Sequence, residues 1–309
     1  MPGAGKLLET VDAEQLTWDE AIRLFETVYM ASRNLSVETR VHYKCDVTQL
    51  ADFLTGQGIT WPIRVQLSHL HHYMAHLDEK GYSGVSRRRK IASIRGFFGF
   101  LTAYGLMAHD PTEQLAPPER EYKEPRFLTT QEYRTLLNVC RHHPRDAAII
   151  ELLLQTGIRL SEAARLTLCD VELPTRIDRD PTNTGSLAIR GKGRKNRTLP
   201  LNFRACRALK TWLSIRPKID EPALFVTRFR APMGKRAIQR MVGKYLAAAG
   251  IHHASVHSLR HTMATHHVSQ GTSLKTLQEA LGHENLSSTS VYISTAKVAM
   301  KRDLQDHAL

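Results

Sequence analysis

The chain has 309 residues, with 43 Lys+Arg against 30 Asp+Glu and a formal net charge of +13. That length is more than one ordinary core requires and predicts two domains, while the charge favours a polyanionic partner through phosphate neutralisation. No run of 18 apolar residues occurs and MPGAGKLLET lacks a secretory apolar core, so neither a spanning helix nor export is expected, and a cytoplasmic protein is.

Thr17 is a predicted helix cap, followed by Trp18, Ile22, Phe25, Val28 and Tyr29 at helical spacing. A second helix is predicted from Ser36, with Tyr43, Val47, Leu50 and Leu54 on one face and Gly56-Gln57-Gly58 at its end. A third covers about 64–80 and is closed by Gly81; a fourth covers about 83–104. Short-looped helices of this kind pack as a small bundle. The fourth opens on Arg87, Arg88, Arg89 and Lys90, while Ile91, Ile94, Phe98 and Leu101 stay apolar. Arg87, Arg88 and Lys90 are therefore expected to contact nucleic acid, with a solvated charged face as the plain alternative.

Residues 109–127 contain Pro111, Pro117, Pro118 and Pro125 among alternating charges, which predicts a linker between a helical domain over 1–108 and a second domain over 128–295. That second domain starts with a capped helix at Leu128-Thr129-Thr130-Gln131-Glu132, carrying Tyr133, Leu136, Leu137 and Cys140 on its apolar face. A buried helix over 147–155 and a shorter one over 161–166 follow. Candidate strands over 168–173, 186–190 and 198–201 suggest a small antiparallel sheet, with the polar loop 174–185 between the first two. Helices resume from about Phe203, Lys235, Val256, Ser273 and Ser287. The fold class is thus mainly α with a small antiparallel β-sheet.

Cys45, Cys140, Cys169 and Cys206 form no C-x-x-C pair, so free thiols are expected. His72 and His76, like His257 and His261, have the spacing of a helical metal pair, but neither lies in H-E-x-x-H and no third ligand is identifiable. No metal or other cofactor is expected.

Four segments carry chemistry. Arg159 follows Thr156-Gly157-Ile158 at a predicted turn, where its guanidinium could clamp a phosphate bidentately or simply pair with Glu162. His257 and Arg260 are three residues apart near a helix N-terminus, which lets both address one anion. Leu281-Gly282-His283 puts an imidazole just past a helix end, nine residues before Tyr292, whose phenol is a candidate nucleophile once cations stabilise the phenolate. The run Arg190-Gly191-Lys192-Gly193-Arg194-Lys195-Asn196-Arg197 reads as a basic hairpin. There Lys192, or else Lys195, could be a general acid, and Arg190, Arg194, Lys195 and Arg197 could contact nucleic acid.

The motifs T-G-I-R-L-S-E, G-K-G-R-K-N-R-T-L-P-L, H-S-L-R-H-T-M-A-T-H and L-G-H-E-N-L-S-S-T-S-V-Y make residues 128–295 resemble the catalytic domain of the tyrosine recombinases, in the style of their Xer and phage-integrase branch. The N-terminal part resembles the family's helical core-binding domain. The resemblance implies an active site of Arg159, Lys192, His257, Arg260, His283 and Tyr292. It also implies two domains clamping duplex DNA, a 3′-phosphotyrosyl intermediate, no need for metal or ATP, and recombination by four protomers through a Holliday junction. Residues 296–309 would pack on a neighbouring protomer. Val256 stands where many relatives have proline and His267 where an aliphatic residue is usual, and the loop 174–185 is longer than in compact Xer proteins. A type IB-like topoisomerase and a non-catalytic DNA-binding regulator are the competing readings. Integration, transposition, integron exchange and chromosome-dimer resolution all remain open as purposes.

Overall fold

The computed structural model describes residues 13–33, 35–119, 126–180, 182–190 and 196–282. Contacts divide the chain into two compact units, Met1–Tyr122 and Lys123–Leu309. Among the described residues no helix is long and apolar enough to cross a membrane.

In the first unit, α1 (Trp18–Leu24) starts where Thr17 and Glu20 cap each other, and it continues into a wider π-helical stretch, Phe25–Met30. α2 (Val37–Thr55) is capped by Ser36, α3 (Leu67–Glu79) ends before Gly81, and α4 (Gly84–Ala103) is capped by Ser83. Their apolar faces meet around Trp18, Phe25, Leu50, Leu54, Tyr73, Phe97 and Phe98. Trp18 stacks on Phe97 at 5.9 Å and donates from Nε1 to Ile59 O at 3.1 Å, so its polar edge is satisfied inside the core. The stretch expected as a linker is not uniform. Leu115 is buried in this first core, its carbonyl accepts from Arg95 Nη2 at 2.7 Å, and Pro118 O accepts from Arg88.

The second unit is built around α6 (Pro144–Thr156), whose Ala148, Ile149, Ile150, Leu152 and Leu153 are all buried. α5 (Thr130–Cys140), α8 (Phe203–Ile215), α9 (Lys235–Ala248) and α10 (Val256–Ser269) pack around it. The short α7 (Leu160–Ala163) follows α6, and α11 (Leu274–Leu281) packs on α10. β1 (Val171–Glu172), β2 (Gly185–Arg190) and β3 (Asn196–Leu201) form an antiparallel sheet in that order, with Leu187 opposite Leu199 and Ile189 opposite Arg197. The first strand is shorter than the 168–173 expected. Asp170 accepts from the backbone and hydroxyl of Thr167, at 2.8 and 2.7 Å, and winds 168–170 into a 3-10 turn. The helix expected from Ser287 lies outside the described residues.

Candidate active site

α6 stops at Gly157, whose φ of +61° an L side chain adopts only with strain. Space forbids a side chain there as well. A Cβ at 157 would run into the Met263 side chain and come within 3.0 Å of Leu281 Cδ2, so the absence of one lets α10 and α11 close on the corner. Two residues on, Arg159 donates its backbone N–H to Glu162 Oε2 at 2.7 Å and its Nη1 to Oε1 at 3.1 Å. One carboxylate therefore caps α7 and fixes the guanidinium that precedes it.

Burial works to raise the Glu162 carboxyl. Hydrogen bonds from Arg197 and the Arg159 backbone, with the charges of both arginines, outweigh that and hold it below the usual carboxylate range. It is an acceptor across the neutral range.

α10 contributes Arg260 and His257. Arg260 is only 9% exposed; its Nη1 donates to Gly157 O at 2.5 Å and its Nη2 to Leu281 O at 2.7 Å. His257 lies exposed one turn earlier, while Leu259 and Met263 take the buried face as their spacing predicts. Burial, then the charges of His257 and Arg260, depress the neighbouring His261 imidazole.

α11 ends at Gly282, again at φ +61°. Its last carbonyls have no partners within the helix and carry the negative end of its dipole. Three guanidiniums take them in turn: Arg197 Nε on Ala280 O at 3.0 Å, Arg260 Nη2 on Leu281 O, and Arg159 Nη2 on Gly282 O at 2.7 Å. Arg159 and Arg260, far apart in sequence, thus meet immediately before His283. Lys192, Arg194, Lys195, His283 and Tyr292 themselves lie outside the described residues.

Several cations expected on a nucleic-acid face sit elsewhere. Lys90 is 3% exposed and donates to Asp46 Oδ1 at 3.0 Å and to Gln49, because it falls on the buried stripe that continues through Ile94, Phe97 and Leu101. Arg87 pairs with Asp78 at 2.8 Å, and Arg88 donates to Pro118 O. Arg197 is turned inward with its side chain 15% exposed, since positions 197, 199 and 201 of β3 share the core face. Of this group Arg190 remains exposed, with Asp170 as its partner at 3.3 Å. The Arg159–Glu162 pair was expected as the plain alternative to a phosphate clamp, but the pairing of Glu162 with Arg197 was not anticipated, although alternation with Leu199 and Leu201 points Arg197 inward. Among the described residues no cluster of three or more His, Cys, Asp or Glu could hold a metal ion.

Two family models match the chain: the phage integrase family over residues 126–298, and the phage integrase N-terminal SAM-like domain over residues 22–105. The chain belongs to the phage integrase family, the tyrosine recombinases. Tyrosine recombinase XerC of Natranaerobius thermophilus is 35% identical over 283 residues, covering 87% of this chain and 91% of that protein. XerC of Bacillus subtilis is 31% identical over 298 residues, covering 93% and 95%. Two solved structures share the recombinase fold. One is XerH bound to a palindromic difH substrate, with a TM-score of 0.73 at 19% identity, covering 97% of this chain and 86% of that one. The other is a lambda integrase tetramer bound to a Holliday junction, with a TM-score of 0.73 at 16% identity, covering 94% and 80%. This tyrosine recombinase accordingly has a helical N-terminal unit and a mixed α/β catalytic unit with a small three-stranded antiparallel sheet.

Proposed function

We propose that this tyrosine recombinase cuts and rejoins duplex DNA at specific sites through a covalent phosphotyrosyl intermediate. The observation that carries the reading is the meeting of Arg159 and Arg260 on successive carbonyls at the end of α11. A guanidinium has five N–H donors. Arg159 uses one on Glu162 and one on Gly282 O, and its side chain is 42% exposed, so its outer edge is open to a phosphate. Arg260 supplies fixed positive charge beneath. Together they neutralise the non-bridging oxygens as negative charge grows on the pentavalent phosphorus.

Tyr292 Oη attacks phosphorus, forming the P–O(Tyr) bond as the P–O5′ bond breaks. His257 takes the phenolic proton and His283 donates to a non-bridging oxygen, while Lys192, with Lys195 as the alternative, gives a proton to the departing 5′ oxygen. The 5′ hydroxyl of a partner duplex then attacks the phosphotyrosyl bond and releases Tyr292, so ester energy is conserved without ATP. Four protomers on two duplexes, exchanging strands through a Holliday junction, complete the reaction in the cytoplasm. The domains at 1–108 and 128–295 hold the DNA between them, and residues 296–309 pack on a neighbouring protomer.

Matches spanning 87% and 93% of the chain to tyrosine recombinases support strand exchange over simple relaxation. The test uses a duplex recovered by binding selection from a randomised pool, supplied in two labelled lengths with EDTA present. Hybrid-length joint molecules are expected. Covalent cutting and relaxation of a supercoiled plasmid without hybrids would instead favour the topoisomerase, and neither reaction would leave a DNA-binding regulator.

A further inference from the structure

Arg197 makes three side-chain hydrogen bonds at this corner, and although it closes the basic run 190–197 it is not among the six residues assigned to the active site. From β3 its Nη1 and Nη2 donate to the two oxygens of Glu162 at 3.1 and 2.9 Å, and its Nε donates to Ala280 O at 3.0 Å. Glu162 in turn holds the backbone and guanidinium of Arg159. The guanidinium also fills the space where a side chain at 282 would begin: a Cβ there would lie 2.9 Å from Nη1 and 3.1 Å from Cζ. Glycine at 282 is therefore needed twice, for its φ of +61° and for the close approach of Arg197.

We propose that Arg197 is a positioning residue of the recombination reaction: through Glu162 it sets the direction of Arg159, and through Ala280 it seats the turn that leads into His283. This rests on the reading of Arg159 as a phosphate clamp. The planar fork matters, because a carboxylate and a carbonyl in different directions are satisfied at once by three fixed N–H vectors. A lysine keeps the charge but cannot hold both. Arg197 is the second residue after the segment 191–195 and pairs with Ile189 across β2 and β3, so the same side chain ties the base of this hairpin to the arginine corner. Three of its five donors are engaged and its side chain is only 15% exposed, so Arg197 is assigned no phosphate contact.

The test compares Arg197→Met, Arg197→Lys, Glu162→Gln, the double variant of Arg197→Met with Glu162→Gln, and Arg159→Met in the full chain. A nicked suicide duplex carrying the selected site is cleaved in single turnover at saturating protein. It is made with either a natural scissile phosphodiester or an uncharged methylphosphonate. Arg159→Met is expected to slow diester cleavage by about 10²–10³-fold. Arg197→Met should slow it by roughly 10²-fold through misplacement, with Arg197→Lys giving little rescue. DNA affinity and its salt dependence should stay unchanged, whereas losing a phosphate contact would lower the salt slope by about one. Both arginine penalties should shrink on the methylphosphonate, which no longer needs the Arg159 charge. The penalty of the double variant should fall well short of the product of the two single penalties, since both remove the same Arg197–Glu162 link.

Arg197→Met cleaving at the parent rate would overturn the proposal. So would a penalty equal on both substrates, penalties that multiply in the double variant, or a lowered salt slope. If Arg197→Met fails to fold, Arg197→Lys carries the same comparisons. Should Arg159→Met cleave normally, it is the clamp reading that falls first, and the inference with it.

Discussion

Each unit of this tyrosine recombinase contains a buried carboxylate that gathers two cations, and the two clusters differ in what the exposed guanidinium meets. In the N-terminal unit Asp46, 1% exposed, accepts from Arg89, Lys90 and Ser93; Lys90 is buried, and Arg89, its side chain 45% exposed, gives both Nη1 and Nη2 to the one carboxylate. In the catalytic unit Glu162, its side chain 8% exposed, holds Arg159 by one terminal nitrogen while the other reaches Gly282 O, beside Arg260 on Leu281 O. Convergence of a second guanidinium on one helix end separates a site poised for a ligand from a brace between helices. Neither the count of charges nor the exposure of one arginine does.

That contrast can be broken most forcefully at Asp46. Asp46→Ala leaves Lys90 buried without its partner and should destabilise the N-terminal unit by about 3–5 kcal/mol in urea unfolding, with cleavage per folded molecule unchanged. A normal unfolding curve would show that the cluster is not a brace. At the other carboxylate the effect should appear in rate. Arg159→Ala should slow covalent cleavage by about 10²–10³-fold while shifting the melting temperature little, because a part-exposed pair contributes little to stability. A large loss of stability with a normal rate would make the two clusters alike.

The smallest effect is expected at His261, on the rim of the same corner. Its folded state disfavours protonation, so its contribution to stability is present above the ordinary histidine value of about 6.5 and is lost as pH falls through its depressed folded value. His261→Gln should flatten the decline of unfolding free energy as the solution is acidified from about 6.5 down to the depressed folded value. A decline of unchanged steepness would place the titrating group elsewhere.

The sequence made the helices legible where caps and periodicity agreed. Thr17 with Glu20 and Thr129 with Glu132 are reciprocal caps, and Gly157 and Gly282 end their helices at φ +61°. Arg159, His257 and Arg260 could be chosen because a metal-free phosphate site needs cations and because the motifs around them resemble those of the tyrosine recombinases. What could not be read was orientation. Lys90 looked like part of a basic face because charge was counted along the chain, whereas its helical position put it on the stripe of Ile94 and Phe97. Arg197 looked like a hairpin cation because the third strand was begun one turn of the pleat too late, at 198 instead of 196. Strand 168–173 was overextended because the Thr167–Asp170 cap is a local competitor that β propensity ignores. In the first two cases a neighbour distant in sequence, Asp46 or Glu162, completed the arrangement.

The most direct measurement is whether Tyr292 becomes covalently joined to DNA. A nicked suicide duplex bearing the selected site is incubated with the protein in EDTA, and any adduct is resolved under denaturing conditions and mapped by mass spectrometry of its peptides. The expected result is a 3′-phosphotyrosyl link on the peptide containing Tyr292, absent from Tyr292→Phe. An adduct that persists undiminished in Tyr292→Phe, or maps to another residue, would contradict the phosphate site drawn around Arg159 and Arg260.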